Sequence, residues 1–295
     1  MRLFIDSTSK IAQFYNISGY TISFFLVAVA TSLPEMMVSV TSALEKNPIL
    51  AYGNVLGSNV ALLTLVVAIP GLIGKGISTR KIFRSKDIYF TILFSVLAIA
   101  LGWDKVFGKL DGFILLAAYV IYIFAILKER TPLERLFAKF SKVNIWKQSI
   151  VFLFSLTLLL ISSQGIVRGA LYISESLKLN LVFIGLTITA IGTSLPEIAF
   201  VISESKNGSQ EEIMGDVVGS VVANTSLVLG LAAIIHPIKL YNGNVGFTSL
   251  GFLIVSLILF FVFSKTKKRL DKKESFVLFL LYIVFLIVEF SFRAA

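Results

Sequence analysis

The sequence contains no cysteine, and this absence excludes disulfides, thiolate nucleophiles and cysteine-ligated metal centres. It contains a single histidine, His236, so a metal site built from several imidazoles is excluded as well. Charged residues make up only 15% of the 295 residues, against roughly a quarter in ordinary soluble domains. Hydrophobic residues make up 56% and the mean hydropathy is +0.89. Such a chain cannot cover its own surface in water, which predicts a multi-pass membrane protein whose outside contacts lipid.

Apolar segments separated by short polar loops predict an all-α integral membrane fold, because about 20 apolar residues in a helix cross a bilayer. The predicted helices are 19–44, 50–73, 87–102, 112–127, 148–176, 181–205, 212–235, 246–264 and 275–292. Residues 1–14 predict part of one further helix, which brings the number to ten.

The chain repeats itself at one fixed offset. AVATSLPE at 28–35 returns as AIGTSLPE at 190–197, and GNVLGS at 53–58 returns as GDVVGS at 215–220, in both cases 162 residues later. Two motifs with the same internal gap indicate a duplication, and duplications of this kind in membrane chains are typical of transporters. The repeat predicts a first half at 1–128, a basic linker at 129–147 and a second half at 148–295.

The repeat also indicates that the first helix is truncated. Met1 aligns with Ser163, so residues 148–162 have no equivalent in the first half. We expect the true start to lie roughly 15 to 20 residues upstream, enough to complete a membrane span, because a half-helix inside the bilayer leaves amide groups unpaired. With this helix counted, each half has five helices, and an odd number inverts the second half relative to the first.

Basic residues are distributed unevenly between the loops. Nineteen of the 27 lysines and arginines lie in loops that follow odd-numbered predicted helices, and five lie in the even-numbered loops. The positive-inside rule then places the odd loops in the cytoplasm of a cell-membrane protein. The 128–147 loop mixes basic with apolar residues, which favours contact with anionic lipid over nucleic-acid binding. The lipid bilayer is the expected partner, and no obligatory protein partner is inferred.

Two acidic residues, Glu35 and Glu197, stand inside apolar helices at equivalent places in the two repeats. A carboxylate inside a membrane costs a few kcal/mol even on lenient scales. One such glutamate alone is compatible with a structural bond to a neighbouring backbone group. A repeat-related pair is better explained by function, because inverted repeats bring equivalent helices together near the midplane. The pair therefore predicts a cation site.

The same oxygen-rich chemistry surrounds each glutamate. Pro34 and Pro196 lack an amide hydrogen and free carbonyl groups one turn earlier, either near Ala30 and Gly192 or, further along, at Ala28 and Ala190. The neighbouring hydroxyls belong to Thr31, Ser32, Thr193 and Ser194. Carboxylate, carbonyl and hydroxyl oxygens suit Na⁺ and Ca²⁺ rather than soft transition metals. Hydroxyls beside a proline also bond back to the helix at a simple kink, but the paired glutamates favour the ion site.

The second motif supports the first. Its glycines are spaced four apart, which is typical of close helix packing, and such packing brings Ser58 and Ser220 towards the glutamate-bearing helices. The glycines are Gly53, Gly57, Gly215 and Gly219. Further oxygen carriers are Asn54, Asn59, Asp216 and Asn224. Asp216 stands close to the expected start of its helix, so a capping or helix-dipole role is an equal alternative.

These paired motifs resemble the alpha repeats of the cation/calcium antiporter superfamily, and the chain is most similar to its prokaryotic sodium/calcium exchangers. The resemblance implies a ten-helix, inverted-repeat antiporter, 5+5, that exchanges one Ca²⁺ for several Na⁺ by alternating access. It implies transport rather than enzymatic activity, with the ions as substrates and no cofactor. The implied ligands are Glu35, Thr31, Ser32, Ser58, Glu197, Thr193, Ser194, Ser220 and the carbonyls of Ala28 and Ala190.

Two positions depart from the family pattern. Leu62 stands where the family commonly has asparagine, and Asn224 stands where it commonly has aspartate, so Asn224 offers an amide oxygen instead of a carboxylate. The number of Na⁺ ions therefore stays open, as does coupling to H⁺ or K⁺ or transport of another divalent cation. A cation channel is a more distant alternative. A membrane enzyme is disfavoured because no nucleophile-and-base arrangement accompanies the glutamates.

Overall fold

Helices form almost all of the structure, a computed structural model that describes residues 32–74, 76–79, 87–129, 145–207, 210–240 and 247–293. They are α1 (Leu33–Leu44), α2 (Pro48–Ile73), α3 (Asp87–Leu101), α4 (Lys109–Glu129), α5 (Ile145–Leu177), α6 (Leu181–Thr193), α7 (Leu195–Asn207), α8 (Gln210–Ala223, continued to Leu229–Ile235), α9 (Phe247–Lys265) and α10 (Lys272–Arg293). The predicted all-α membrane class is confirmed.

The predicted helices match the observed ones to within a few residues, with one correction. The predicted helix 181–205 is broken at Ser194 into α6 and α7, which meet at a bend of 40°. Only the second part of the predicted helix 19–44 is described, as α1. The predictions for 1–14, for the truncated first helix and for most of the 129–147 linker lie outside the described residues and stay predictions.

Length and composition mark several of these helices as membrane spans. Five described helices are long and apolar enough to cross a bilayer, or six if the bent pair α6–α7 forms one span. The five spans are Pro48–Ile73, Trp146–Leu177, Ile213–Ile235, Thr248–Lys265 and Lys272–Ser291. Helix α3 is apolar but shorter. These findings agree with a multi-pass membrane protein.

The two repeat-related helices α2 and α8 form the centre of the molecule. In each of them 78% of the apolar span is buried, whereas only 17% of the α5 span is buried. Large apolar side chains on α5, such as Ile150, Phe154 and Ile161, are exposed. In water such a surface would be unstable, but in a bilayer it contacts acyl chains. The burial pattern therefore places α2 and α8 inside and α5 at the lipid boundary.

Glycines let α2 and α6 cross at backbone contact distance. A Cβ atom built on Gly53 would lie 2.6 Å from the carbonyl oxygen of Val182, and one on Gly57 would lie 2.2 Å from that of Leu186. No larger residue fits at these positions unless the helices separate. The predicted close packing is thus present in the first repeat, and it brings the following residue, Ser58, against α6.

Two small strand pairs show that the repeats are inverted. Strand β1 (Ile77–Ser78) pairs with β4 (Arg269–Leu270), and β2 (Val106–Phe107) pairs with β3 (Ile238–Lys239), both antiparallel. Each pair joins one strand from each half, and the 162-residue offset carries β1 onto β3 and β2 onto β4 to within one residue. The strands β1 and β4 follow odd-numbered predicted helices, whereas β2 and β3 follow even-numbered ones. Odd loops therefore meet on one face and even loops on the other.

Widened π turns interrupt the central helices at equivalent positions. One π turn spans Leu62–Val66 in α2 and another spans Asn224–Val228 in α8, again 162 residues apart. A third, Gly185–Thr189, lies in α6. The π turns of α2 and α8 begin at the two positions that depart from the family pattern. Turns of this kind are frequent at functional sites because they shift backbone groups out of the regular ladder.

The crossing of α2 and α6 yields a stability prediction. We expect Gly57→Ala to lower the melting temperature of the detergent-solubilised protein, since its Cβ would press on the Leu186 backbone. Overpacking of this kind typically costs about 1–3 kcal/mol. The matched control is Gly165→Ala on α5, where a Cβ would meet nothing within 4 Å. Equal melting temperatures for the two variants would contradict the proposed tight crossing.

Candidate cation site

Glu35 and Glu197 each stand at the start of a helix, directly after a break. Ser32 precedes α1 with φ −82° and ψ 6°, and Ser194 precedes α7 with φ −84° and ψ 2°, so the two repeats break in the same conformation. A proline follows in each repeat and each glutamate is the third residue of its helix. The glutamates are 0% and 1% exposed. A carboxylate in the first turn is favoured by the helix dipole.

Oxygen atoms from the two halves meet around Glu35. The Ser194 hydroxyl donates to Glu35 Oε1 at 3.4 Å, and the Ser58 and Thr193 hydroxyl oxygens lie 3.4 Å apart. The Thr193 hydroxyl also lies 3.2 Å from Asn54 Oδ1, which accepts a hydrogen bond from it. The structure thus brings together five residues that sequence reasoning singled out, although they come from chain segments more than 130 residues apart.

The Ala190 carbonyl, a predicted ligand, already has partners in the structure. It accepts a hydrogen bond from the Ser194 amide at 3.0 Å, and the Thr193 hydroxyl lies 3.2 Å from it. Thr193 carries one hydroxyl proton, which it can give either to Ala190 or to Asn54. A cation bound at the Ala190 carbonyl would therefore direct that proton to Asn54. The repeat-related predicted ligands Ala28 and Thr31 lie outside the described residues.

Several buried polar atoms in the described part of the chain have no hydrogen-bond partner. They are Ser32 Oγ, Glu35 Oε2, Glu197 Oε2, Asn59 Oδ1 and both amide atoms of Asn224. Burying a polar atom without a partner costs free energy, so such atoms are uncommon in native proteins. Here they include both glutamates of the paired motif. Their number and their kind indicate that these residues serve a ligand rather than the fold.

The second-repeat residues Ser220 and Asn224 are both fully buried in α8. Asn224 begins the π turn of that helix, one turn after Ser220. Leu62, its equivalent in α2, is equally buried and begins the matching π turn but offers no ligand atom. The two repeats therefore share their backbone at this position and differ in chemistry.

Asp216 is a functional candidate that sequence reasoning placed incorrectly. It is the seventh residue of the helix that begins at Gln210, so it does not cap the helix or lie in its first turn. It is 3% exposed and lies close enough to interact electrostatically with both Glu35 and Glu197. One signal could have revealed it: Asp216 precedes Ser220 by four residues, which places both on one helix face.

Asn59 belongs to a separate polar region. Its Nδ2 donates to Thr225 Oγ1 at 2.9 Å, and both residues line a cavity of about 20 Å³ together with Tyr52 and Ser95. That volume is enough for one water molecule. Nothing in the cavity lining includes a residue of the paired glutamate motif. Asn59 is therefore not grouped with the candidate cation site.

The chemistry of the cluster suits hard cations. Its oxygens come from carboxylates, hydroxyls and amides, which bind Ca²⁺ and Na⁺ in preference to soft metals. Across residues 32–293, the described segments contain no group of three or more histidine, aspartate and glutamate side chains arranged to hold one metal ion. A single ion held by acids alone is thus not the design of this site, and neutral oxygens must complete any coordination shell.

Sequence comparison finds relatives that align over nearly the whole chain. A putative antiporter, CaxA of Alkalimonas amylolytica, is 30% identical over 298 residues, covering 98% of this chain and 93% of the relative. The sodium/calcium exchanger MaX1 of Methanosarcina acetivorans is 26% identical and covers 97% of this chain and 93% of that protein.

The fold and the family agree with these relatives. A solved structure of the sodium-calcium exchanger NCX_Mj, soaked with 10 mM Na⁺ and 10 mM Sr²⁺, superposes with a TM-score of 0.66 at 24% identity and covers 96% of this chain and 91% of that chain. The model of the family described as sodium/calcium exchanger protein matches residues 1–128 and 147–291. The chain therefore belongs to the sodium/calcium exchanger family of membrane transporters and is not an enzyme.

Proposed function

We propose that this protein is a secondary active antiporter that exchanges Na⁺ for Ca²⁺ by alternating access at a site built around Glu35 and Glu197. Family membership supports cation antiport. The observation that carries the finer proposal is the buried, repeat-related pair of carboxylates, each with one oxygen that has no hydrogen-bond partner in the described chain. The predicted ligands Ser32, Ser58, Thr193, Ser194, Ser220 and Asn224, with Thr31 and the carbonyls of Ala28 and Ala190, are proposed to complete the site.

The spacing of the oxygens supports ion coordination. The gaps of 3.4 Å between Ser194 and Glu35 and between Ser58 and Thr193 are long for hydroxyl hydrogen bonds, which centre near about 2.7 Å. Neighbouring ligands of a Ca²⁺ ion, each about 2.4 Å from the metal, lie about 3.4 Å apart when they subtend a right angle. The oxygens are thus separated by the distance that a shared hard cation requires.

Exchange follows if both cations compete for the same oxygens. Ca²⁺ balances the two glutamates, and so do two Na⁺ ions, so binding of one kind displaces the other. The empty site would carry two negative charges, which the low-dielectric membrane disfavours. The protein would then move its site across the membrane only when it is loaded. Inverted repeats provide the two symmetry-related conformations that alternating access needs.

The orientation proposed from the charges is that the odd loops face the cytoplasm of a cell-membrane protein. The strand pairs support the grouping of the loops, since β1 with β4 and β2 with β3 each join loops of one kind. Two tryptophans fit the same frame. Trp103 lies in an even loop and Trp146 begins α5 after an odd loop, and both are highly exposed, as expected for aromatic residues at the two membrane interfaces.

The decisive experiment is a flux assay in vesicles that contain the purified protein. We expect uptake of radioactive Ca²⁺ when Na⁺ is trapped inside and diluted outside. Matched K⁺ and H⁺ gradients, imposed without a Na⁺ gradient, identify any other coupling ion. Uptake that follows only the H⁺ or K⁺ gradient would replace Na⁺ in the proposal, and uptake that ignores every opposing gradient would indicate a channel.

Replacing either glutamate tests the site itself. We expect Glu35→Gln and Glu197→Gln each to abolish Na⁺-driven Ca²⁺ uptake, because the charge that binds the cation is lost, while the protein still elutes as a folded species. The control is Glu289→Gln on α10. Glu289 is also fully buried, but it accepts hydrogen bonds from Ser249 at 2.8 Å and Thr248 at 3.1 Å. Retained uptake in either site variant would refute the site.

The cysteine-free chain allows a direct test of orientation. Lys239 in an even loop and Lys268 in an odd loop are both exposed. We expect a membrane-impermeant maleimide to label Lys239→Cys in intact cells and Lys268→Cys only after the membrane is opened. The opposite labelling order would invert the proposed topology.

A further inference from the structure

Asp216 points to a feature that two glutamates alone do not provide. Building on the proposed antiport, we propose that Asp216 is a third acidic cation ligand and that it holds a monovalent cation beside the Glu35–Glu197 site, on the side that faces the odd loops.

The placement of Asp216 matches that of a residue already in the cluster. Its repeat equivalent is Asn54, whose Oδ1 accepts a hydrogen bond from Thr193 at 3.2 Å. Both residues are buried and both lie one turn before the serine of their motif, Ser220 or Ser58. Asp216 also interacts electrostatically with both glutamates. The inverted repeat thus puts an amide on one side of the site and a carboxylate at the matching place on the other.

Charge balance calls for a cation at this position. The four segments that carry the site residues, 32–45, 48–74, 181–205 and 210–235, contain no lysine, arginine or histidine. Three buried carboxylates on these segments therefore have no basic side chain from their own helices to balance them. Uncompensated buried charge is strongly destabilising. A Ca²⁺ ion balances two of the three carboxylates, which leaves one negative charge for a further cation.

This further cation occupies its own position. Within the described segments the acids do not form a three-membered metal centre, so Asp216 does not share a single ion equally with both glutamates. Four helical residues separate Asp216 from Ser220, a rise of about 6 Å. Helix α8 starts after an odd loop, whereas α2 starts after an even loop, so Asp216 lies towards the odd face and Asn54 towards the even face. A single charge at an adjacent position fits a monovalent ion.

The number of competing Na⁺ ions tests this inference. In purified protein, the apparent dissociation constant for radioactive Ca²⁺ is measured over a series of Na⁺ concentrations. The slope of its logarithm against the logarithm of Na⁺ concentration counts the Na⁺ ions released per Ca²⁺ bound. We expect Asp216→Asn to lower this slope by about one. Asp216→Glu keeps the carboxylate and is expected to keep the slope.

Control variants separate the two proposals. Glu175→Gln removes an exposed carboxylate on α5 and is expected to leave the slope unchanged. Asp216→Ser serves as the second variant if Asp216→Asn does not purify as a folded species, with the same lowered slope expected. A normal slope in the folded Asp216 variants would overturn this inference and leave Na⁺/Ca²⁺ exchange standing. Failure of the wild-type protein to bind Ca²⁺ in competition with Na⁺ would overturn both.

Discussion

The cost of burying carboxylates in a membrane constrains the rest of this structure. Glu35 and Glu197 are almost fully buried on helix segments that contain no basic residue. Such groups persist only when other atoms compensate them. The helix breaks, the hydroxyls of Ser194 and Thr193, and the close crossing of α2 and α6 all place dipoles and oxygens around that charge. The remaining compensation comes from the ions that the protein carries.

The inverted duplication allows one chain to meet this constraint. Each half contributes a broken helix with a glutamate and a glycine-rich central helix with a serine. Because the halves are oppositely oriented, the two breaks face each other rather than lying side by side. The contact from Ser194 to Glu35 joins the halves directly. Neither half alone contains both the carboxylate and the hydroxyl of that contact.

Much of this arrangement could be predicted from the sequence. Helix positions, the duplication and the glutamate pair follow from hydropathy and from one repeated offset. The break at Ser194 was only partly foreseen, since a proline predicts a kink but not its angle. The paired strands were missed because two residues carry no alternating pattern. Asp216 was assigned to a helix start because element boundaries are uncertain by a few residues, and that small error hid its place beside the glutamates.

The strand pairs have a consequence for the origin of the fold. Each pair joins one strand of either half, and the repeat offset exchanges the two pairs. Two identical copies of an ancestral half, inserted into the bilayer in opposite directions, would form both pairs by the same two-fold contact. The ribbons at the membrane faces are thus the seam of a former antiparallel homodimer. Gene fusion would have released the copies to diverge, leaving an amide at residue 54 and an acid at residue 216.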